Sequence, residues 1–385
     1  MRVCVVTGGR ADFSLLKTLL FAFDEDPFFD LKLIATGMHL SPEFGLTYKE
    51  IEEAGFLIDY KVEMLMSSDT AQGIGKSIGL GTIGFSDAFA TLKPDLILFL
   101  GDRFEILAAA TAGLVAGVPM AHLHGGEVTE GAFDDSIRHC LTKMSDLHFV
   151  ANKTYGKRVI QMGENPNNVF VCGGLGVDSI CNANLVSRAV LVADLGISFS
   201  QRNLLVTFHP VTREPGLGRK QLENLLCCLA ECEETTIVFT MPNADNEGRE
   251  FIKLIKDFTA DRTNSYVFDA LGQKYYLSLL SQVDAVVGNS SSGLAEAPSF
   301  KVGTVNIGSR QDGRIRAESV IDCPPEKTKI SAAINKIYSK EFRKCLKNTR
   351  NPYGTPGASN RIKNILKAFE LRAPSKKCFH DIMTD

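Results

Sequence analysis

Short apolar runs alternate with segments of helical period along nearly the whole chain. Val3–Thr7 predicts a strand and Asp12–Phe23 a helix, and Leu31–Thr36 with Tyr48–Ala54 repeats the pair. Gly73–Leu92 keeps a helical period despite its glycines and leads into the strand-like Asp95–Leu100. Phe104–Ala116 is helical and Met120–Leu123 a strand, with Leu147–Ala151 and Val169–Cys172 adding two more. Continuous apolar strands separated by helices predict a parallel sheet covered on both faces. A second series begins after about residue 180, with strands Leu204–Phe208, Thr236–Thr240, Tyr266–Phe268, Ala285–Val287 and Gly303–Ile307. Helices Lys220–Glu231, Asn246–Thr259 and Gln273–Ser281 fall between them, and Gly293–Pro298 opens another. Asn182–Ser200 reads as a linker and first helix. The expected fold class is α/β: one doubly wound domain over residues 1–180, a second over 181–371 whose last helix can pack back on the first, and a polar, frayed tail at 372–385.

Size supports that division, since 385 residues exceed what one core ordinarily organises. A formal charge of −3 and a pI near 6.2 leave no basic footprint for nucleic acid or for an anionic membrane. An anionic ligand must then be held by local arginines and backbone N–H groups. The first residues turn at Gly8-Gly9 after a strand-length run, too short for a secretory core or a membrane span, so a cytoplasmic location is expected. Among the ten cysteines there is no CxxC pair. Cys4 and Cys172 sit in apolar runs, and Cys227, Cys228 and Cys232 in a helical segment, which predicts reduced, mostly buried thiols.

Ligands of open parallel sheets sit beyond the carboxyl ends of the strands, and the polar motifs stand there. Thr7-Gly8-Gly9-Arg10-Ala11-Asp12 is not a dinucleotide fingerprint, but it exposes N–H groups at a helix start, with Arg10 as a ligand contact and Asp12 as a contact or an N-cap. Gly101-Asp102-Arg103 ends an apolar strand, where an aspartate can act as a base or simply cap the next helix. From His122 to His139, eighteen residues hold four carboxylates, three imidazoles and one arginine. That density is costly to fold around unless it faces a cleft. His122 and His124 are expected on one side of a strand end, but a metal there would need further ligands. His209 follows a strand of the second half, and Asn243 follows the next. Gly288-Asn289-Ser290-Ser291-Ser292-Gly293 offers hydroxyls and N–H groups suited to a diphosphate, with Glu296 within reach of ribose hydroxyls. Arg310 and Arg314 add a phosphate clamp. No Walker A motif, metal-ligand spacing or nucleophile elbow occurs, so neither cofactor nor metal is expected.

In this order and spacing TGGRADF, ATGMHL, GDRFE, HLHGGEVTEGAFDDSIRH, TFHPVT, GNSSSGLAE and NIGSRQDGR resemble the hydrolysing UDP-N-acetylglucosamine 2-epimerases of bacterial sialic and legionaminic acid pathways, over about residues 1–370. The resemblance implies the GT-B fold, two Rossmann-like domains whose parallel sheets face one interdomain cleft. It implies a reaction in which UDP leaves C1 by elimination across C1–C2, and water adds to the 2-acetamidoglucal to give N-acetylmannosamine. A 2,4-diacetamido-2,4,6-trideoxyglucose substrate is the alternative. Asp102, Asp134 and Asp135 match the family's acid-base positions. Arg10 matches its first-loop arginine, and His209, Ser290, Ser291, Glu296 and Arg310 match its UDP side. Asp12, His39, Arg103 and Arg314, from the same motifs, and Asn243, after the strand Thr236–Thr240, are expected to contact substrate. Many members carry a glutamate where His124 stands, so His124 or Glu127 supplies the second acid-base group. The non-hydrolysing branch lacks the HGGE…DDSIRH string, which favours hydrolysis. A UDP-sugar is the expected ligand and a homo-oligomer, dimer or tetramer, the expected assembly. A GT-B glycosyltransferase or a silent nucleotide-sugar binding protein would not need the acidic run.

Overall fold

A computed structural model of the chain describes residues 1–66, 70–129, 133–209, 218–241, 248–268, 271–370 and 377–382. Two compact units divide it, Met1–Ser179 with Tyr353–Asp385, and Ile180–Pro352.

The first unit is built on strands β1 (Arg2–Thr7), β2 (Asp30–Thr36), β3 (Tyr60–Val62), β4 (Leu96–Leu100), β5 (Met120–Leu123), β6 (Leu147–Val150) and β7 (Val169–Val171). They form one parallel sheet in the order β3-β2-β1-β4-β5-β6-β7. The second unit holds β8 (Arg202–Thr207), β9 (Thr235–Thr240), β10 (Ser265–Phe268), β11 (Ala285–Gly288), β12 (Gly303–Ile307) and β13 (Val320–Cys323). These are also parallel, in the order β10-β9-β8-β11-β12-β13. Both orders are doubly wound. The strand sequence reverses between β1 and β4 in one sheet and between β8 and β11 in the other, and such switch points are where these sheets hold ligands.

The unbroken apolar strands follow from burial on two faces. In β1, Val3 and Val5 pack with Leu16, Leu33 and Leu98, whereas Cys4 and Val6 pack with Ile34, Phe85 and Phe99. In the second unit, Leu204 and Val206 join Phe239 and Val287 on one side, and Leu205 joins Val238 and Val286 on the other. Each fully buried Val or Leu side chain contributes about 1.5–3 kcal/mol, so both helix layers are needed to hold the strands that carry the site.

β3 and β13 were not predicted. Both are short edge strands, and the charged Lys61 and Asp322 break the apolar signal. The helix Ala358–Ala368 adds Ala358, Ile362 and Leu366 to the core around β1. Its start is tied down by Asp178, whose carboxylate accepts from the N–H groups of Gly357 at 2.6 Å, Ala358 at 3.0 Å and Ser359 at 2.6 Å. The tail corrects the expectation of fraying over residues 377–382. Lys377 donates to the carbonyls of Lys143 at 2.6 Å and Ser145 at 2.5 Å, capping the helix Phe133–Met144, and pairs with Glu164 at 2.7 Å. Burial alone would raise the Glu164 pKa, but bonds from His148, Lys143 and Lys377 together bring it down to about 2. Among the described residues no helix is long and apolar enough to cross a membrane.

Candidate active site

In the first unit, the loops after β1 and β4 meet at the switch point. Gly9, not Asp12, is the N-cap of the helix Arg10–Asp24. Asp12 lies in the first turn, and its carboxylate accepts from the Gly8 N–H at 3.4 Å. Burial pushes its pKa from 3.8 to about 6; the Arg103 charge opposes this, while Glu105 and Asp102 add to it. After β4, Gly101 takes a left-handed φ of +81° and turns the chain into Asp102. His122, fully buried in β5, donates from Nε2 to the Gly101 carbonyl at 2.7 Å and so holds that turn in place. Burial pushes the His122 pKa down to about 3, so it remains a neutral packing group.

The helix Phe133–Met144 completes the cluster. Asp134 and Asp135 stand in its first turn, and Arg138 lies one turn on along the same face. The Arg138 side chain is 7% exposed and pairs with Asp102. It also lies 3.6 Å from Asp135 and donates to the Thr129 hydroxyl at 3.2 Å. The Thr129 N–H in turn donates to Asp135 at 2.7 Å. Burial raises the Asp134 pKa and the Asp102 charge adds to it, against Arg103 and Arg138. Arg103 reaches the fully buried Glu105 with Nε and Nη2, both at 3.2 Å. Four aspartates, one glutamate and two arginines thus share one electrostatic neighbourhood.

His124 leaves the strand with φ of +64°. Its Nε2 accepts from the Leu175 N–H at 3.2 Å, which puts the ring proton on Nδ1, where it donates to Glu127 at 2.9 Å. The two histidines therefore turn to different partners instead of lining one side. His39 is buried between the hydroxyls of Thr7 at 3.0 Å and Thr47 at 2.8 Å, and burial lowers its pKa to about 4. With both ring nitrogens bonded it braces the end of β1. Arg10, in the same first turn as Asp12, is exposed and pairs with Glu50.

In the second unit the equivalent switch point carries a polar clamp. Gly288 ends β11 at φ of +137°, directly beside Thr207 of β8. The next residue, buried Asn289, accepts from the His209 N–H at 2.7 Å and donates to the His209 carbonyl at 2.8 Å. The Asn289 carbonyl accepts from Arg310 at 3.0 Å and from Gln311 at 2.8 Å. Burial lowers the His209 pKa to about 4 and the Arg310 charge adds to it, so the imidazole is neutral near pH 7. Ser290 accepts from the Ser292 N–H at 3.4 Å, and Tyr276 donates to the Ser292 hydroxyl at 2.6 Å. Glu296 follows the short helix Ser292–Ala295 and accepts from Ser292; burial raises its pKa against that bond. Ser291 is the half-buried N-cap of the same helix. Arg314 engages through its carbonyl, which accepts from Arg316 at 2.8 Å. Asn243 lies outside the described residues.

Residues 22–367 match the profile of a family described as UDP-N-acetylglucosamine 2-epimerase. The chain belongs to that family. A relative from Campylobacter jejuni, named GDP/UDP-N,N'-diacetylbacillosamine 2-epimerase (hydrolyzing), is 40% identical over 99% of both chains. The polysialic acid biosynthesis protein P7 of Escherichia coli is 35% identical over 99% of this chain and 97% of its own. The structure of the Neisseria meningitidis UDP-GlcNAc 2-epimerase bound to UDP-GlcNAc superposes with a TM-score of 0.76 at 17% identity, covering 96% of this chain and all of that one. At that identity the likeness shows the fold, which is GT-B. The protein is an enzyme of the 2-epimerase family.

The sequence alone assigns no role to Glu105, Thr129 and Arg138 of this epimerase, nor to Asn289, Gln311 and Tyr276. Arg138 carried a usable signal, four residues after Asp134. Asn289 did not: its bonds to His209 span 80 residues and come only with the fold.

Proposed function

We propose that this epimerase releases UDP from a UDP-linked 2-acetamido sugar by elimination and hydrates the product to the free 2-epimer. The observation that carries the reading is the buried Arg138 held between Asp102 and Asp135, beside Asp12 and Asp134 with raised pKa values. A carboxylate takes the C2 proton while the C1–O bond to UDP breaks. Water then delivers hydroxyl to C1, and a carboxylic acid returns a proton to C2 from the opposite face. Such work needs a carboxyl group with a raised pKa, which burial and the neighbouring Asp102 charge supply at Asp134. We assign Asp102, Asp134 and Asp135 to proton transfer, Arg138 to holding them, and the His124–Glu127 pair to directing water. His209, Ser290, Ser291, Glu296, Arg310 and Arg314 are assigned to UDP, with Asn289 positioning His209. Arg10, Asp12 and Arg103 flank the sugar and pyrophosphate.

The C. jejuni relative favours the 2,4-diacetamido sugar as substrate, and the E. coli polysialic acid biosynthesis relative supports a place in nonulosonic acid biosynthesis. The family's description supports UDP-N-acetylglucosamine as the second reading. Incubation with each UDP-sugar separately, with no acceptor present, distinguishes them. The proposal expects UDP and a free sugar inverted at C2 from at least one. Absence of UDP release from both would end it, and UDP release only with an acceptor would point to glycosyl transfer.

Two variants check the assignments. His209→Ala should weaken UDP binding about tenfold or more, read by calorimetry, with little change in melting temperature; unchanged affinity removes it from the site. For Asp12, the rise from 3.8 to about 6 means that log kcat/KM climbs with pH up to about 6 and then levels, and that Asp12→Asn loses this arm. Folding raises this pKa, so the native carboxyl keeps its proton where the unfolded one has lost it. Its burial therefore opposes folding above about pH 6 and not below about pH 4, and Asp12→Asn should raise the melting temperature only on the alkaline side. An unaltered kinetic profile would assign the ionisation elsewhere.

A further inference from the structure

The C-terminal tail docks on the helix that carries Asp134, Asp135 and Arg138. The last carbonyls of a helix have no partner within it and form the negative end of its dipole. At the end of the helix Phe133–Met144 they meet the ammonium of Lys377, 234 residues beyond Lys143. An ammonium has three N–H bonds to give. Lys377 gives them to the carbonyls of Lys143 at 2.6 Å and Ser145 at 2.5 Å and to the Glu164 carboxylate at 2.7 Å, with the Thr142 carbonyl at 3.4 Å. The seat is built for this group. Glu164, its side chain only 2% exposed, also accepts from Lys143 at 2.5 Å and from His148 at 2.8 Å. Beside it the Phe379 ring lies against Gly163, where a Cβ would stand 2.3 Å from the ring. The Gly163 carbonyl accepts from the His380 N–H at 2.9 Å, and the Lys143 ammonium is 4.9 Å from the Phe379 ring centroid.

This helix reaches the turn at Asp102 from both of its ends. In its last turn the buried Thr142 hydroxyl lies 3.2 Å from Nδ1 of His122, whose Nε2 donates to the Gly101 carbonyl at 2.7 Å, and Asp102 follows Gly101. Nearer its start, Arg138 pairs with Asp102 directly. The twelve residues span about 18 Å, so a slide or tilt of the helix moves Asp134 and Asp135 against Asp102. We infer that Lys377 is a positioning residue for proton transfer: it seats the last turn of the helix against His122 and so sets Asp134 and Asp135 in register with Asp102. The inference rests on the elimination chemistry proposed above, in which these carboxylates move the C2 proton. A misplacement of about 1 Å at a reacting group can cost about a hundredfold in rate, so a side chain at the far end of the helix governs turnover.

Lys377→Met in the full chain keeps an unbranched side chain and removes its charge and donors. UDP release is expected to slow about tenfold or more, with UDP affinity by calorimetry within about twofold. Thr142→Val removes the hydroxyl beside His122. If the tail acts through that turn, adding Lys377→Met to Thr142→Val costs much less turnover than Lys377→Met costs the wild type. Phe379→Ala loosens the same segment with its hydrogen-bonding groups intact. It should lower turnover in the same manner to a smaller degree, and it decides the matter if Lys377→Met fails to fold. Unchanged turnover, UDP affinity lost in step with turnover, or Thr142 and Lys377 effects that simply multiply would overturn the inference. A wild type that releases no UDP would refute the reaction itself. Amide hydrogen exchange then still tests the tail: Lys377→Met should speed exchange along the helix Phe133–Met144, and exchange equal to the wild type would overturn its role there.

Discussion

Asp102→Asn is expected to lower turnover about a thousandfold or more while leaving UDP affinity within about twofold. Asparagine keeps the size of the side chain and an oxygen for Arg138, but it gives up the charge that makes a base. Arg138 retains Asp135 and Thr129, so the helix Phe133–Met144 stays in place. His122 still holds the Gly101 carbonyl, so the turn survives. Asp102 is not among the residues assigned to UDP, so UDP has no reason to bind differently. Steady-state UDP release alongside calorimetric UDP binding separates the two effects. Equal loss of both would mean that Asp102 acts as a structural counter-charge to Arg138 and not as a proton carrier.

Gly288→Ala is the second large effect, and it acts on binding through the backbone. A Cβ at Gly288 would stand 2.0 Å from the Thr207 carbonyl oxygen, at a φ of +137° that L residues rarely adopt. Because Gly288 pairs with Thr207 across β11 and β8, relief requires the two central strands to part. The next residue, Asn289, donates its own N–H to Thr207 at 3.1 Å and holds both backbone groups of His209. The cost is about 3 kcal/mol or more from clash and backbone strain, together with loss of UDP binding. Gly101→Ala is the control. It too has a positive φ, of +81°, but no atom lies within 4 Å of its would-be Cβ, so its cost should stay near 1 kcal/mol. Denaturant unfolding of both variants, with UDP titration, gives the comparison, and equal stability losses would contradict the steric argument.

The central strands were legible because both faces are buried. Leu96–Leu100 is apolar at every position, as are most positions of Arg2–Thr7, and turn chemistry follows each directly. The edge strands Tyr60–Val62 and Val320–Cys323 were not, since each is short and interrupted by a charge, Lys61 or Asp322, whereas the uncharged edges Val169–Val171 and Ser265–Phe268 were. The helix Phe133–Met144 was hidden because its charged residues interrupt the apolar period that would announce a helix. Motifs located the polar residues but not their partners. That Asp102 meets Arg138, 36 residues on, and that Arg10 turns instead to Glu50, depends on how loops leave neighbouring strands. His39 shows the same limit, because a motif histidine and a buried brace between two threonines look alike in one dimension.

Turnover in deuterated water tests the proposed chemistry most directly. If carboxylates of the first unit remove and return the proton at C2, the free sugar is inverted at C2 and carries one deuterium there, with UDP released in equal amount. A free sugar that keeps its original hydrogen at C2 would mean that water attacks C1 without elimination, and would contradict the account.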